Sequence, residues 1–107
     1  MTTMAGSMLS CTIDGAVATL VINRPPANTL TPELLAELSQ AFDLLAKDDA
    51  VKAIVLTGTG RFFIAGADIR VLASISSSRQ GETIALQGQA ILNQIEALEK
   101  PVIAAIN

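Results

Sequence analysis

The chain has 107 residues, half of them hydrophobic, three Phe as its only aromatics, and a formal net charge of −3. That length holds one small domain, and the composition is that of a chain that buries a core. Its four arginines, Arg24, Arg61, Arg70 and Arg79, are scattered, so the basic stripe and stacking aromatics of a nucleic-acid reader are both missing. One cysteine, Cys11, and no histidine exclude an internal disulfide, a His-based triad and a His/Cys metal site.

No apolar run reaches the ~20 residues that span a bilayer. The first 23 residues carry no Lys or Arg, which argues against a signal or transit peptide. The expected setting is a reducing cytoplasm, with no membrane, nucleic-acid or metal partner.

Residues 1–7 are small and polar and are expected to form a disordered leader. Residues 8–13 and 16–22 read as two strands. Asp14-Gly15 between them signals a tight hairpin, with a type I′ turn as the expected form. The second strand is apolar on both faces and reads as sheet interior. Pro25-Pro26 then forces an extended loop over residues 23–30. That loop is a plain connector, or a ligand loop that brings Arg24 near a phosphate.

Thr31-Pro32 opens a helix, with Thr as N-cap and Pro at the first helical position. Leu34, Leu35, Leu38, Ala41, Phe42 and Leu45 share its apolar face. Glu33 and Glu37 near its start read as a solvated face that also suits the helix dipole. After an Asp48-Asp49-Ala50 turn, residues 51–57 form a third strand. Strand, helix and strand at this spacing make a βαβ unit with a parallel pair.

Gly58-Thr59-Gly60 follows that strand but lacks the third glycine of a dinucleotide loop, because position 63 is Phe. The next stretch, Arg61-Phe62-Phe63-Ile64-Ala65-Gly66-Ala67-Asp68-Ile69, has little side-chain chemistry. Any action on a substrate there runs through the main chain. Gly66 and its small neighbours let a ligand approach closely, and an N–H would stabilise an oxyanion. The stretch follows the carboxyl end of a parallel strand, where α/β sheets bind ligands.

Asp68 caps a short helix over residues 69–73. Residues 74–81 are serine-rich and read as a mobile linker. Residues 82–99 form a second long helix with Ile84, Ile91, Leu92, Ile95 and Leu98 on its apolar face. Gly88 in its middle points to a tight packing contact. Lys100-Pro101 ends it, and residues 102–106 form another buried strand. Cys11 reads as a small buried hydrophobe.

In order along the chain stand Val21-Ile22-Asn23-Arg24-Pro25 with Asn28-Thr29-Leu30, then Val51-Lys52-Ala53-Ile54-Val55-Leu56-Thr57-Gly58. The Arg61-to-Ile69 stretch follows, and Lys100-Pro101-Val102-Ile103-Ala104-Ala105-Ile106-Asn107 comes last. Together they resemble the enoyl-CoA hydratase/isomerase (crotonase) superfamily, from about residue 9 to residue 107. Thr29 and Ile64 stand where that family often has Ala.

The resemblance implies an α/β fold, a crotonase-like spiral of ββα units that usually assembles as trimers or dimers of trimers. It implies an acyl-CoA thioester as substrate, with coenzyme A part of that substrate and no separate cofactor. Two backbone N–H groups bind the thioester oxygen in the family, and the first matches Ala67. The second donor and the two glutamates that handle water are expected beyond Asn107, so residues 8–107 match the N-terminal part of one domain.

The main chain at Ala65 matches the part that meets the CoA adenine. Arg24, Pro26 and Ala27 match the loop beside the nucleotide and pantetheine. Asp68, Ile69 and Arg70 match the start of the helix beside the acyl pocket, and Arg61 is placed to meet a phosphate. Acyl specificity is expected to depend on Ile69, Leu72 and the serine-rich segment.

The expected reaction is hydration of a trans-2-enoyl-CoA to a 3-hydroxyacyl-CoA, as in fatty acid oxidation. The alternatives are double-bond isomerisation, thioester hydrolysis, decarboxylation, a CoA-binding piece without turnover, or a general α/β nucleotide-binding domain. The 107 residues alone are expected to be inactive.

Overall fold

Apolar, β-prone runs bounded by turn residues dictate the sheet. The computed structural model describes residues 2–5, as main chain, and residues 8–107. Strands β1 (Thr2–Ala5), β2 (Leu9–Asp14), β3 (Val17–Ile22), β4 (Ala53–Gly58) and β5 (Val102–Ala105) form one sheet in the order β1-β2-β3-β4-β5. The pairs β1–β2 and β2–β3 are antiparallel, and β3–β4 and β4–β5 are parallel. The helices are α1 (Pro32–Lys47), α2 (Ile69–Ala73) and α3 (Ser78–Glu96).

One sheet face is buried by period-two alternation. Ala18, Leu20 and Ile22 of β3 pair with Ile54, Leu56 and Gly58 of β4, and Cys11 lies opposite Leu20. Against this face α1 lays Leu34, Leu35, Leu38, Phe42 and Leu45, all buried. Burial also pushes the Cys11 thiol up, away from the reactive thiolate. Ile91 is the buried residue of α3, with Ile95 and Leu98 packed beside the core.

The helix signals act as the sequence indicates. Thr31 accepts from Leu34 N at 3.2 Å, with Pro32 at the first position. Lys100 Nζ donates to Leu45 O and Asp48 O, each at 2.6 Å. A cation thus satisfies carbonyls at the α1 C-terminus, where the dipole favours it.

Several expectations need correction. Thr2–Ala5 of the expected leader is a strand that satisfies the outer edge of β2, and residues 1, 6 and 7 lie outside the described residues. The hairpin loop is Gly15-Ala16, closed by Asp14 opposite Val17. Gly15 takes the positive φ of 61°, so glycine occupies the first central position rather than the second. Helix α3 starts at Ser78, inside the expected linker, because Ser77 accepts from Gln80 N at 3.1 Å. Leu92 is 66% exposed. It lies one residue off the Ile91–Ile95–Leu98 stripe, about 100° around the helix.

Glu37 is not simply solvated, since its Oε1 accepts from Met8 N at 3.2 Å. Strand β5 is an edge among the described residues rather than a buried strand, with Ile103 exposed. It pairs with β4 on one side only, and its outward face meets no other described element.

Candidate active site

Two loops leave the carboxyl ends of β3 and β4 side by side, and their main chains are stitched together. Ala65 N donates to Ala27 O at 3.1 Å, Leu30 N to Gly66 O at 2.8 Å and Asp68 N to Leu30 O at 2.9 Å. Leu30 and Ala67 thereby form a one-residue parallel bridge. In such a bridge Leu30 bonds to the residues either side of Ala67. The N–H of Ala67 itself points away from the Leu30 strand. Among the described residues nothing accepts from it. Gly66 makes the bend possible with φ of 126°, a value that favours glycine.

Asn28, which the sequence reading passed over, holds the loops from below. It is buried and takes the left-handed conformation with φ of 55°. Its Nδ2 donates to Thr59 O at 3.2 Å and Phe62 O at 2.8 Å, and its Oδ1 accepts from Arg24 N at 2.9 Å. Gly58 makes room for it. A Cβ on Gly58 would lie 2.6 Å from Asn28 Nδ2 and collide with Phe62 O. An Asn within a Pro-Pro-Ala-Asn loop was the available signal, because Asn tolerates the left-handed region.

Asp68 is the electrostatic centre. It caps α2 by accepting from Arg70 N at 2.9 Å. Its Oδ2 meets Arg24 Nη1 at 3.0 Å, Arg70 Nη2 at 3.1 Å and Thr29 Oγ1 at 3.0 Å. The Arg70 guanidinium, with help from Thr29, the Arg70 N–H and Arg24, holds this carboxyl well below the usual carboxylate range, against the opposing pull of burial. Asp68 raises Arg70 in return.

The residues singled out from sequence therefore fall into distinct places. Arg24 is committed inward, to Asp68 and to Thr29 Oγ1 at 2.5 Å. Ala27 and Ala65 are joined through the main chain, while Pro26 and Arg61 are exposed. Ile69 is 79% exposed, and Arg70 leans over Asp68 with most of its surface in solvent.

Beside Ala67 opens a cavity of about 270 Å³. Leu30, Thr31, Pro32 and Leu35 form one wall, Val71, Leu72 and Ile75 a second, and Gly81, Ile84, Ala85 and Gly88 of α3 a third. The lining is almost wholly apolar, and Ala67 is part of it. Leu72 and Ile75 line the cavity and Ile69 does not. Gly88 is not a tight contact, since a Cβ there would meet nothing within 4 Å.

A mixed sheet with one helical layer, a main-chain donor after a parallel strand and an adjoining apolar cavity define the class, an α/β fold whose candidate site is built from main chain and apolar walls. The chain belongs to the enoyl-CoA hydratase/isomerase family, whose model matches residues 12–107. It is 44% identical over 93 residues to a crotonyl-CoA hydratase of Syntrophomonas wolfei, covering 85% of this chain and 35% of that protein. It is 38% identical over 96 residues to a short-chain-enoyl-CoA hydratase of Clostridium acetobutylicum, covering 88% and 36%. The fold matches an enoyl-CoA hydratase structure from Bacillus anthracis with a TM-score of 0.89 and 30% identity, covering 94% of this chain and 40% of that one. The chain thus spans little more than a third of the curated relatives' length, and its fold is crotonase-like.

Proposed function

We propose that this chain is the acyl-CoA-binding part of an enoyl-CoA hydratase, and that the Ala67 N–H is one donor of its oxyanion hole. The observation that carries this reading is an N–H without a partner among the described residues, on the wall of an apolar cavity. The names of the relatives support hydration as the reaction.

In this reading the thioester oxygen accepts from Ala67 N. Water adds across the double bond: its oxygen bonds to C3, and a proton is delivered to C2. Negative charge passes through the thioester oxygen as an enolate. A fixed N–H stabilises that charge more than it stabilises the neutral carbonyl. A donor of this kind is worth roughly 10²–10³ in rate. The cavity lining holds no acid or base, so the proton-transfer groups and a second donor come from elsewhere in the whole protein.

The test is the rate of crotonyl-CoA hydration by the whole protein and two variants. Ala67→Pro, which deletes the N–H, should lose about 10²-fold or more, while Ala67→Gly should keep most activity. Equal losses in two folded variants would remove the backbone role.

A further inference from the structure

We infer that Gly81 and Gly88 of α3 set the length of acyl chain that the cavity admits, and that the chain suits medium-length acyl groups. This rests on the acyl-CoA reading of the Ala67 site and deepens it. The two glycines are seven residues apart, two helical turns, and so share one face. That face forms a wall of the cavity together with Ile84 and Ala85.

Neither glycine answers a backbone need: each lies inside α3 and neither has a positive φ. Neither answers a packing need. A Cβ at Gly88 would meet nothing within 4 Å, and one at Gly81 would make an ordinary 3.5 Å contact with Ile75. Gly88 in mid-helix costs helix stability, as does Gly81 to a lesser degree in the first turn, and the local gain is the empty volume itself. Gly88 stands on the α1 side of the cavity, where the adjoining Gln87 Nε2 donates to Pro32 O at 3.2 Å. Gly81 faces Ile75 at the α2 side.

The volume gives the scale. A dry apolar cavity of about 150 Å³ holds benzene, with six carbons, so by proportion this one holds on the order of ten. That exceeds the crotonyl group. The thioester end would sit at Ala67, and the tail would lie along α3.

The experiment compares the whole protein with Gly88→Leu and Gly88→Ala. It measures kcat/KM for crotonyl-CoA, trans-2-decenoyl-CoA and trans-2-hexadecenoyl-CoA, and binding of octanoyl-CoA against acetyl-CoA by calorimetry. The wild type should favour decenoyl-CoA. Gly88→Leu should cut decenoyl-CoA by about 10- to 100-fold more than it cuts crotonyl-CoA, with Gly88→Ala in between. Gly88→Ala should fold at least as well as wild type, so the test survives if the leucine variant does not fold. Parallel losses on crotonyl- and decenoyl-CoA would overturn the inference. So would octanoyl-CoA binding that is no tighter than acetyl-CoA binding in wild type. Chain-length-dependent binding that Gly88→Leu abolishes, in a protein that hydrates none of the enoyl thioesters, would uphold the wall and sink the hydratase reading.

Discussion

At Gly58 an added Cβ would lie 2.6 Å from Asn28 Nδ2, whereas at Gly88 it would find nothing within 4 Å. These two glycines belong to opposite sides of one site. The Gly58 side, made of residues 23–30 and 59–68, is fastened by main-chain bonds and by Asn28. The Gly88 side is a helix face that leaves space. In the proposed function the difference follows from the task of each side. An oxyanion donor stabilises charge only if it is already in place. A wall that receives a hydrocarbon chain needs volume and no particular direction.

The largest effect should come from the fastened side. Gly58→Ala forces Asn28 and the carbonyls of Phe62 and Phe63 all to move, and none is the loose end of a flexible side chain. A loss of about 4 kcal/mol is expected, read from urea unfolding. A loss under about 1 kcal/mol would mean that the stitched loops yield as readily as the helical wall.

Next comes Asn28→Ala. It leaves Thr59 O, Phe62 O and Arg24 N without their side-chain partner and puts a left-handed φ on Ala. About 3 kcal/mol is expected, of which Asn28→Gly should recover about 1 kcal/mol by relieving the backbone alone. Equal losses for the two variants would assign the whole cost to hydrogen bonding.

The smallest and most conditional effect belongs to Asp68. Its carboxyl is held below the usual range, chiefly by the Arg70 hydrogen bond. As pH falls, the unfolded chain therefore takes up the proton first. The stabilisation is complete above the ordinary Asp value of about 3.9 and drains away below it, toward the depressed native value. Unfolding midpoints of wild type and Asp68→Asn should differ at neutral pH and converge as pH falls below about 4. A gap that stays constant through that window would mean that the ion pairs with Arg24 and Arg70 add nothing.

Most of the fold was legible because its signals are local. Thr31-Pro32 capped α1 as its chemistry requires, and β-prone apolar runs bounded by turn residues gave β2, β3 and β4. The start of α3 was equally local. Ser77 and Gln80 form a capping pair three residues apart, which the run of serines concealed.

The unpartnered N–H of Ala67 lies in the stretch that the sequence points to for a different reason: without reactive side chains, only the main chain is left as a candidate. The role of Asn28 was not legible, because its bonds to Thr59 and Phe62 reach 31 and 34 residues along the chain. Nor was the inward commitment of Arg24, whose carboxylate partner Asp68 lies on the other loop. Gly88 was misread because glycine in a helix has two meanings, close contact and open volume. Only the neighbours tell them apart.

Asn28 and Gly58 also constrain how this sequence can drift. The asparagine amide and the carbonyls of Phe62 and Phe63 all crowd the place of a Cβ on residue 58. A change at residue 28 alone does not free residue 58, because the two carbonyls stay. Gly88 has no such neighbours. In a lineage of related chains, the helical wall can therefore vary one residue at a time while the stitched loops keep their glycine.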